Sequence, residues 1–171
     1  GTHNGGADGS VDFYLRQSGW STFGHAYSEQ QPFDGNWHHI AWVQEDGART
    51  FYVDGVADSL EIPDQEEGDW LVNNTSIGGI LRASASHWST GVLDDVAIWK
   101  RALSASEVAE LATSSVSDHL GGGGSDDPVA EGLVSHWPLD AIQGTKTPDV
   151  VSGYDMDITN LTADDVVPGK N

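Results

Sequence analysis

The sequence predicts an all-β fold, a sandwich or barrel of antiparallel strands. Three observations carry this. Turn signals recur at close intervals along 171 residues that include 21 glycines. The apolar runs between them are short and rich in aromatic and β-branched residues, as half-buried strands are. One stretch, Asp34 to Gly55, spells out a complete hairpin with a second turn behind it.

Within that stretch, Trp37-His38-His39-Ile40-Ala41-Trp42-Val43 reads as one strand and Thr50-Phe51-Tyr52-Val53 as its partner. Asp46-Gly47 joins them and Asp54-Gly55 follows, each supplying the positive φ of a two-residue primed turn. Further on, Asp95 is flanked by Val92, Leu93, Val96 and Ile98, so its carboxylate needs compensation if buried. Only Ser104 to Ala112 reads as helix. Ser104 with Glu107 three residues later makes a capping box, and Leu103, Val108 and Leu111 give a short apolar stripe. Residues 113–128 read as a flexible linker, since Gly121-Gly-Gly-Gly-Ser125 has nothing to bury and looks like an engineered tether.

Four segments together resemble a known family. Trp37-His38-His39-Ile40-Ala41, Phe51-Tyr52-Val53-Asp54-Gly55, Ile77-Gly78-Gly79 and Gly91-Val92-Leu93-Asp94-Asp95-Val96-Ala97-Ile98-Trp99-Lys100-Arg101-Ala102-Leu103-Ser104 are similar, in wording and spacing, to the laminin-G-like domains of the concanavalin A-like lectin/glucanase superfamily. The resemblance implies a two-sheet antiparallel jelly-roll sandwich with one short helix. It also implies a role in adhesion and carbohydrate recognition, with a bound calcium ion. The order of the pieces departs from the family. Residues 1–112 resemble the later two-thirds of the jelly roll, whereas Gly132-Leu133-Val134-Ser135-His136-Trp137-Pro138-Leu139-Asp140, within residues 129–171, resembles its opening strands. The middle strands of the pattern are missing. The expectation is one domain, circularly permuted or split, in which 129–171 packs with 1–112.

Composition excludes several functions. With 7 basic and 27 acidic residues the net charge is −20, which repels nucleic acid and anionic lipid. The acid is spread out, 18 residues in 1–120 and 9 in 121–171, so no acidic tail stands apart. There is no cysteine, hence no disulfide framework and no thiolate site. No apolar run approaches the ~20 residues of a bilayer span, so no membrane insertion is expected. The expected location is secreted or at the cell surface, of bacterial type.

No catalytic residue is assigned and the chain reads as a non-enzyme. A retaining glucanase on this scaffold needs two carboxylates about 5 Å apart, from a Glu-x-Asp-x-x-Glu strand. The nearest match, Glu61-Ile62-Pro63-Asp64 with Glu66-Glu67, is interrupted by a proline that breaks strand pairing. The Gly-x-Ser-x-Gly of serine hydrolases is absent. By the resemblance, calcium would be held by Asp140, Asp149 and Asp155 in the opening loop with Asp94 or Asp95 from a late strand. Calcium takes six to eight oxygens. Asp149 and Asp155 read equally well as turn formers through their own side-chain hydrogen bonds. His38 and His39 cannot chelate one ion together, because neighbours on a strand point to opposite faces. Of the seven tryptophans, Trp37, Trp42, Trp99 and Trp137 read as packing. Trp20, Trp70 and Trp88, with His87, sit in polar, glycine-rich surroundings and are the candidate ligand contacts, each ring able to stack on a sugar face or to pack its own loop.

The functional expectation is a non-catalytic binding or adhesion module for a glycan or cell-surface protein. A second expectation, from the missing strands, is a strand-complementation scaffold that captures a peptide supplying them, or a second copy of the chain.

Overall fold

A computed structural model of the chain describes residues 7–16, 22–60, 76–79, 90–120 and 127–169, with only the backbone at 14–16 and 22–25. The chain is mostly strand with few helices, as expected, but the described strands form four small sheets and not two broad ones. β1 (Asp12–Arg16) pairs with β2 (Thr22–Tyr27). A second sheet has the order β3 (Ile40–Glu45), β4 (Ala48–Val53), β5 (Val56–Ala57). β6 (Val96–Trp99) pairs with β7 (Leu133–Trp137), and β8 (Lys146–Thr147) with β9 (Met156–Asp157). The chain divides into two compact units, Gly1–Glu67 with Trp99–Val134 and Gly68–Ile98 with Ser135–Asn171.

In the first unit the predicted hairpin is present residue by residue. Ile40 faces Val53, Trp42 faces Phe51 and Glu45 faces Ala48, leaving Asp46 and Gly47 as a two-residue loop. Both have positive φ, 47° and 86°, the signature of the primed turn whose twist matches its strands. Asp54 and Gly55 repeat it at 51° and 78° before β5. The core lies on β4, where Phe51, Tyr52 and Val53 are buried with Leu103, Val108 and Leu111. Asp58 ties the hairpin to the segment after β2. Its buried carboxylate accepts from the N–H groups of Glu29, Gln30 and Leu60, so desolvation is offset by three donors.

α1 (Ala105–Leu111) starts at Ser104, whose side chain accepts from the N–H of Glu107 while Glu107 reaches back to the Ser104 N–H, completing the predicted capping box. Val108 and Leu111 are its buried face. Arg101 clamps this cap. Its guanidinium is bidentate on Glu107, at 2.5 and 3.0 Å, and donates to the carbonyls of Glu131 and Pro128. The Arg101 hydrogen bond holds the Glu107 carboxyl down at about 2, against burial, with help from Ser104. A carboxyl so depressed stabilises the fold above its unfolded pKa and loses that contribution as pH falls through the folded value. Glu107→Gln is therefore expected to destabilise by about 1–2 kcal/mol at pH 7. That difference should shrink between about pH 4.5 and pH 2, read from urea midpoints of both proteins across that range.

The structure departs from the one-helix expectation. A second helix, α2 (Val116–Leu120), occupies part of the stretch read as linker. Asp118 accepts from the Ser115 N–H, Ser115 accepts from the Ser117 N–H, and Val116 is buried. Within it, His119 contacts Asp127 at 3.0 Å and the Ser114 hydroxyl at 2.9 Å, so the described residues on either side of 121–126 are pinned together. Trp99 donates from its indole to the Val129 carbonyl at 2.7 Å.

Candidate functional site

Two places in the described residues collect the residue types that a binding protein needs. The first lies in the second unit, around His136 on β7. That side chain is fully buried, and its Nε2 donates to Asp95 Oδ1 at 2.5 Å, while Nδ1 has no hydrogen-bond partner. Asp95 holds a left-handed φ of 53°, which turns its carboxylate inward at the start of β6.

Asp149 completes the cluster from the backbone side. Its Oδ1 accepts from the N–H groups of His136, Val151 and Ser152 at 3.1, 2.9 and 3.2 Å, and its Oδ2 accepts from the Ser152 hydroxyl at 2.5 Å. Burial by itself would push this carboxyl up, yet the hydroxyl of Ser152 and the three N–H donors outweigh it and hold the group well below the usual carboxylate range. Asp155 in turn accepts from the Asp149 N–H at 3.1 Å.

Of the five carboxylates read as calcium ligands, then, Asp95 and Asp149 meet at His136, with Asp155 hydrogen-bonded behind Asp149. Asp94 lies against Gly169, and Asp140 is exposed. This arrangement does not fit a calcium ion. The oxygens of Asp149 face N–H and O–H hydrogens that a cation would meet head-on, and the bonded oxygen of Asp95 faces a ring N–H. Among the described residues no group of three or more His, Asp or Glu side chains is placed to hold a metal. The turn-forming reading of Asp149 and Asp155 is the one the geometry carries.

The second place is the outer side of β3 in the first unit. Strand alternation puts Ile40, Trp42 and Gln44 on the same face as Val53, Phe51 and Arg49 of β4. The β4 residues are buried, Phe51 at 1% and Val53 at 4% exposure, whereas Ile40 is 44% and Trp42 36% exposed. Phe13 of β1 lies over the inner part, with its ring 4.5 Å from Trp42 and 4.7 Å from Phe51. Trp42 thus packs one side of its ring on Phe13 and leaves the other open, whereas Trp37, which precedes β3, is 40% exposed, against the packing role read for it. Trp137 is buried as read, its indole donating to the Tyr154 carbonyl.

At one end of β3, His38 sits between two carboxylates. Its Nδ1 is 2.8 Å from Asp54 and its Nε2 3.1 Å from Asp34. The Asp54 hydrogen bond raises the His38 pKa, and Asp34 is lowered to about 2 chiefly by the N–H and side chain of Asn36. His38 is thus a clasp between the 34–36 bend and the Asp54-Gly55 turn and not a zinc ligand.

The candidate sugar contacts Trp20, Trp70, His87 and Trp88 lie outside the described residues, as do Glu61, Asp64, Glu66 and Glu67. His136 went unassigned in the sequence. Its partners Asp95 and Asp149 are 41 and 13 residues away, beyond any local pattern.

The family model Laminin_G_3, described as the Concanavalin A-like lectin/glucanases superfamily, matches residues 3–109. Adhesion G-protein coupled receptor D1 of Homo sapiens is 26% identical over 117 residues, which are 67% of this chain and 13% of the receptor. The chain thus spans a small part of that relative. Among solved structures, residues 221–444 of an S-layer domain-containing protein from Clostridium thermocellum ATCC 27405 align over 61% of this chain and 52% of that one, at 26% identity and a TM-score of 0.42.

Proposed function

The chain belongs to the laminin-G-like family of the concanavalin A-like superfamily, and we propose that it is a non-catalytic binding module acting in adhesion at the cell surface. The observation that carries this reading is the family match over residues 3–109, which includes the β3–β4 hairpin and ends within α1. A human relative named as an adhesion receptor supports it. The superfamily name also covers glucanases, but the paired-carboxylate strand such chemistry uses is absent from the sequence. Rearranged chain order is part of the same proposal, supported by both compact units drawing residues from each side of Gly121–Ser125.

The ligand class proposed is a neutral glycan or a surface protein. A net charge of −20 disfavours sulfated or sialylated chains. Trp20, Trp70 and Trp88 would stack on sugar faces, with His87 beside them to bind hydroxyls. Titration of a neutral glycan panel by calorimetry is the test. W70A and W88A are each expected to weaken the best ligand about tenfold. Hydrolysis of that ligand, or binding unchanged in both variants, would overturn the reading.

A further inference from the structure

We propose that the outer edge of β3 receives an extended, basic segment of another protein as an added strand. The proposal rests on the binding-module reading and supplies the chemistry of one partner.

Geometry makes the edge available. Among the described residues β3 is the end strand of its sheet, with no strand on its outer side. Over its six residues the outward N–H and C=O groups form a ladder template about 20 Å long. Beside that ladder the apolar face is unfinished. Ile40 and Trp42 continue the buried row of Phe51 and Val53, and Phe13 covers only the inner part. A strand laid along β3 with apolar side chains at alternate positions extends the same cluster by one row.

Charge selects the occupant. The exposed charged side chains on the hairpin and the loops at its ends are Asp34, Glu45, Asp46 and Asp54, all acidic. His38 offsets part of the charge of Asp34 and Asp54. Arg49 is buried and donates to Gln44. A second copy would bring the same acidic rim and its own −20 to the edge, so the two would repel. A segment with lysine or arginine outside its alternating apolar positions is attracted at both ends, and the neutral strand core does not oppose it.

The test uses the full chain and a fluorescent peptide alternating valine and threonine between flanking lysines. Saturable binding is expected, with added hydrogen-exchange protection in Ile40–Glu45. N-methylation of alternate amides leaves the side chains in place but removes the ladder donors, and is expected to weaken binding at least about tenfold. E45K/D46N keeps a turn-compatible residue at position 46 and is expected to weaken the lysine-flanked peptide about fivefold while favouring a glutamate-flanked one. Equal binding of the N-methylated peptide, equal binding of both flanking types to the parent chain, or no protection in β3 overturns the proposal. Concentration-dependent dimerisation that protects β3 does so too, by assigning the edge to a second copy. Loss of peptide binding with glycan binding intact overturns this inference alone, whereas loss of both overturns the binding-module reading.

Discussion

Gly55→Ala is expected to destabilise the first unit by about 2–4 kcal/mol, more than any surface change in it. Two effects add. At φ +78° a side chain is strained wherever it points. A Cβ there would also stand 2.8 Å from the Ala109 Cα of α1, and 3.2 Å from the Ala112 Cβ, so the helix backbone itself would have to move. Gly35→Ala separates the two. Its φ is +94°, but nothing lies within 4 Å of the added atom, so it is expected to cost only the conformational part, about 1 kcal/mol. Thermal and urea unfolding of both variants measures the difference. Equal losses would mean that α1 does not rest on the Asp54-Gly55 turn.

Asp149→Ala is expected to cost about 3–5 kcal/mol. It removes the acceptor of three N–H groups and one hydroxyl at once, and Asp149 is buried. Asp149→Asn keeps one carbonyl oxygen and turns an amide toward Ser152, whose hydroxyl can accept, so about 1–2 kcal/mol is expected. The folded pKa of Asp149 is depressed, so the parent chain gains from this group above the ordinary carboxylate range and loses the gain as acid is added. The gap between parent and Asp149→Asn should therefore close toward low pH. Unfolding midpoints with and without calcium complete the experiment. A turn organiser predicts the same Asp149→Asn loss in calcium and in chelator. A loss confined to calcium would restore the metal reading of Asp95, Asp149 and Asp155.

What could be read from the sequence was local. The two Asp-Gly turns, the Ser104–Glu107 cap and the Val108 and Leu111 stripe each lie within a few residues, and each is present as read. α2 was missed because five residues cannot display a helical period, and a neighbouring glycine run biased the stretch toward linker. Trp42 was taken for packing because it continues an apolar strand. Alternation fixes which face a residue shares, but whether that face is covered depends on a neighbour elsewhere in the chain. The His136 cluster is non-local in the same way. Its acid from the residue before β6 and its acid from the 149–152 turn are joined only by folding, and the family resemblance suggested a cation where the fold uses N–H donors.

The hydrogen bond between His119 and Asp127 has a practical reach. With both flanks held to each other at 3.0 Å, a guest sequence placed among Gly121–Ser125 enters and leaves at neighbouring points. Doubling the length of such a closed loop adds only about 0.6 kcal/mol of closure entropy. The chain can thus carry a fluorescent or affinity reporter there.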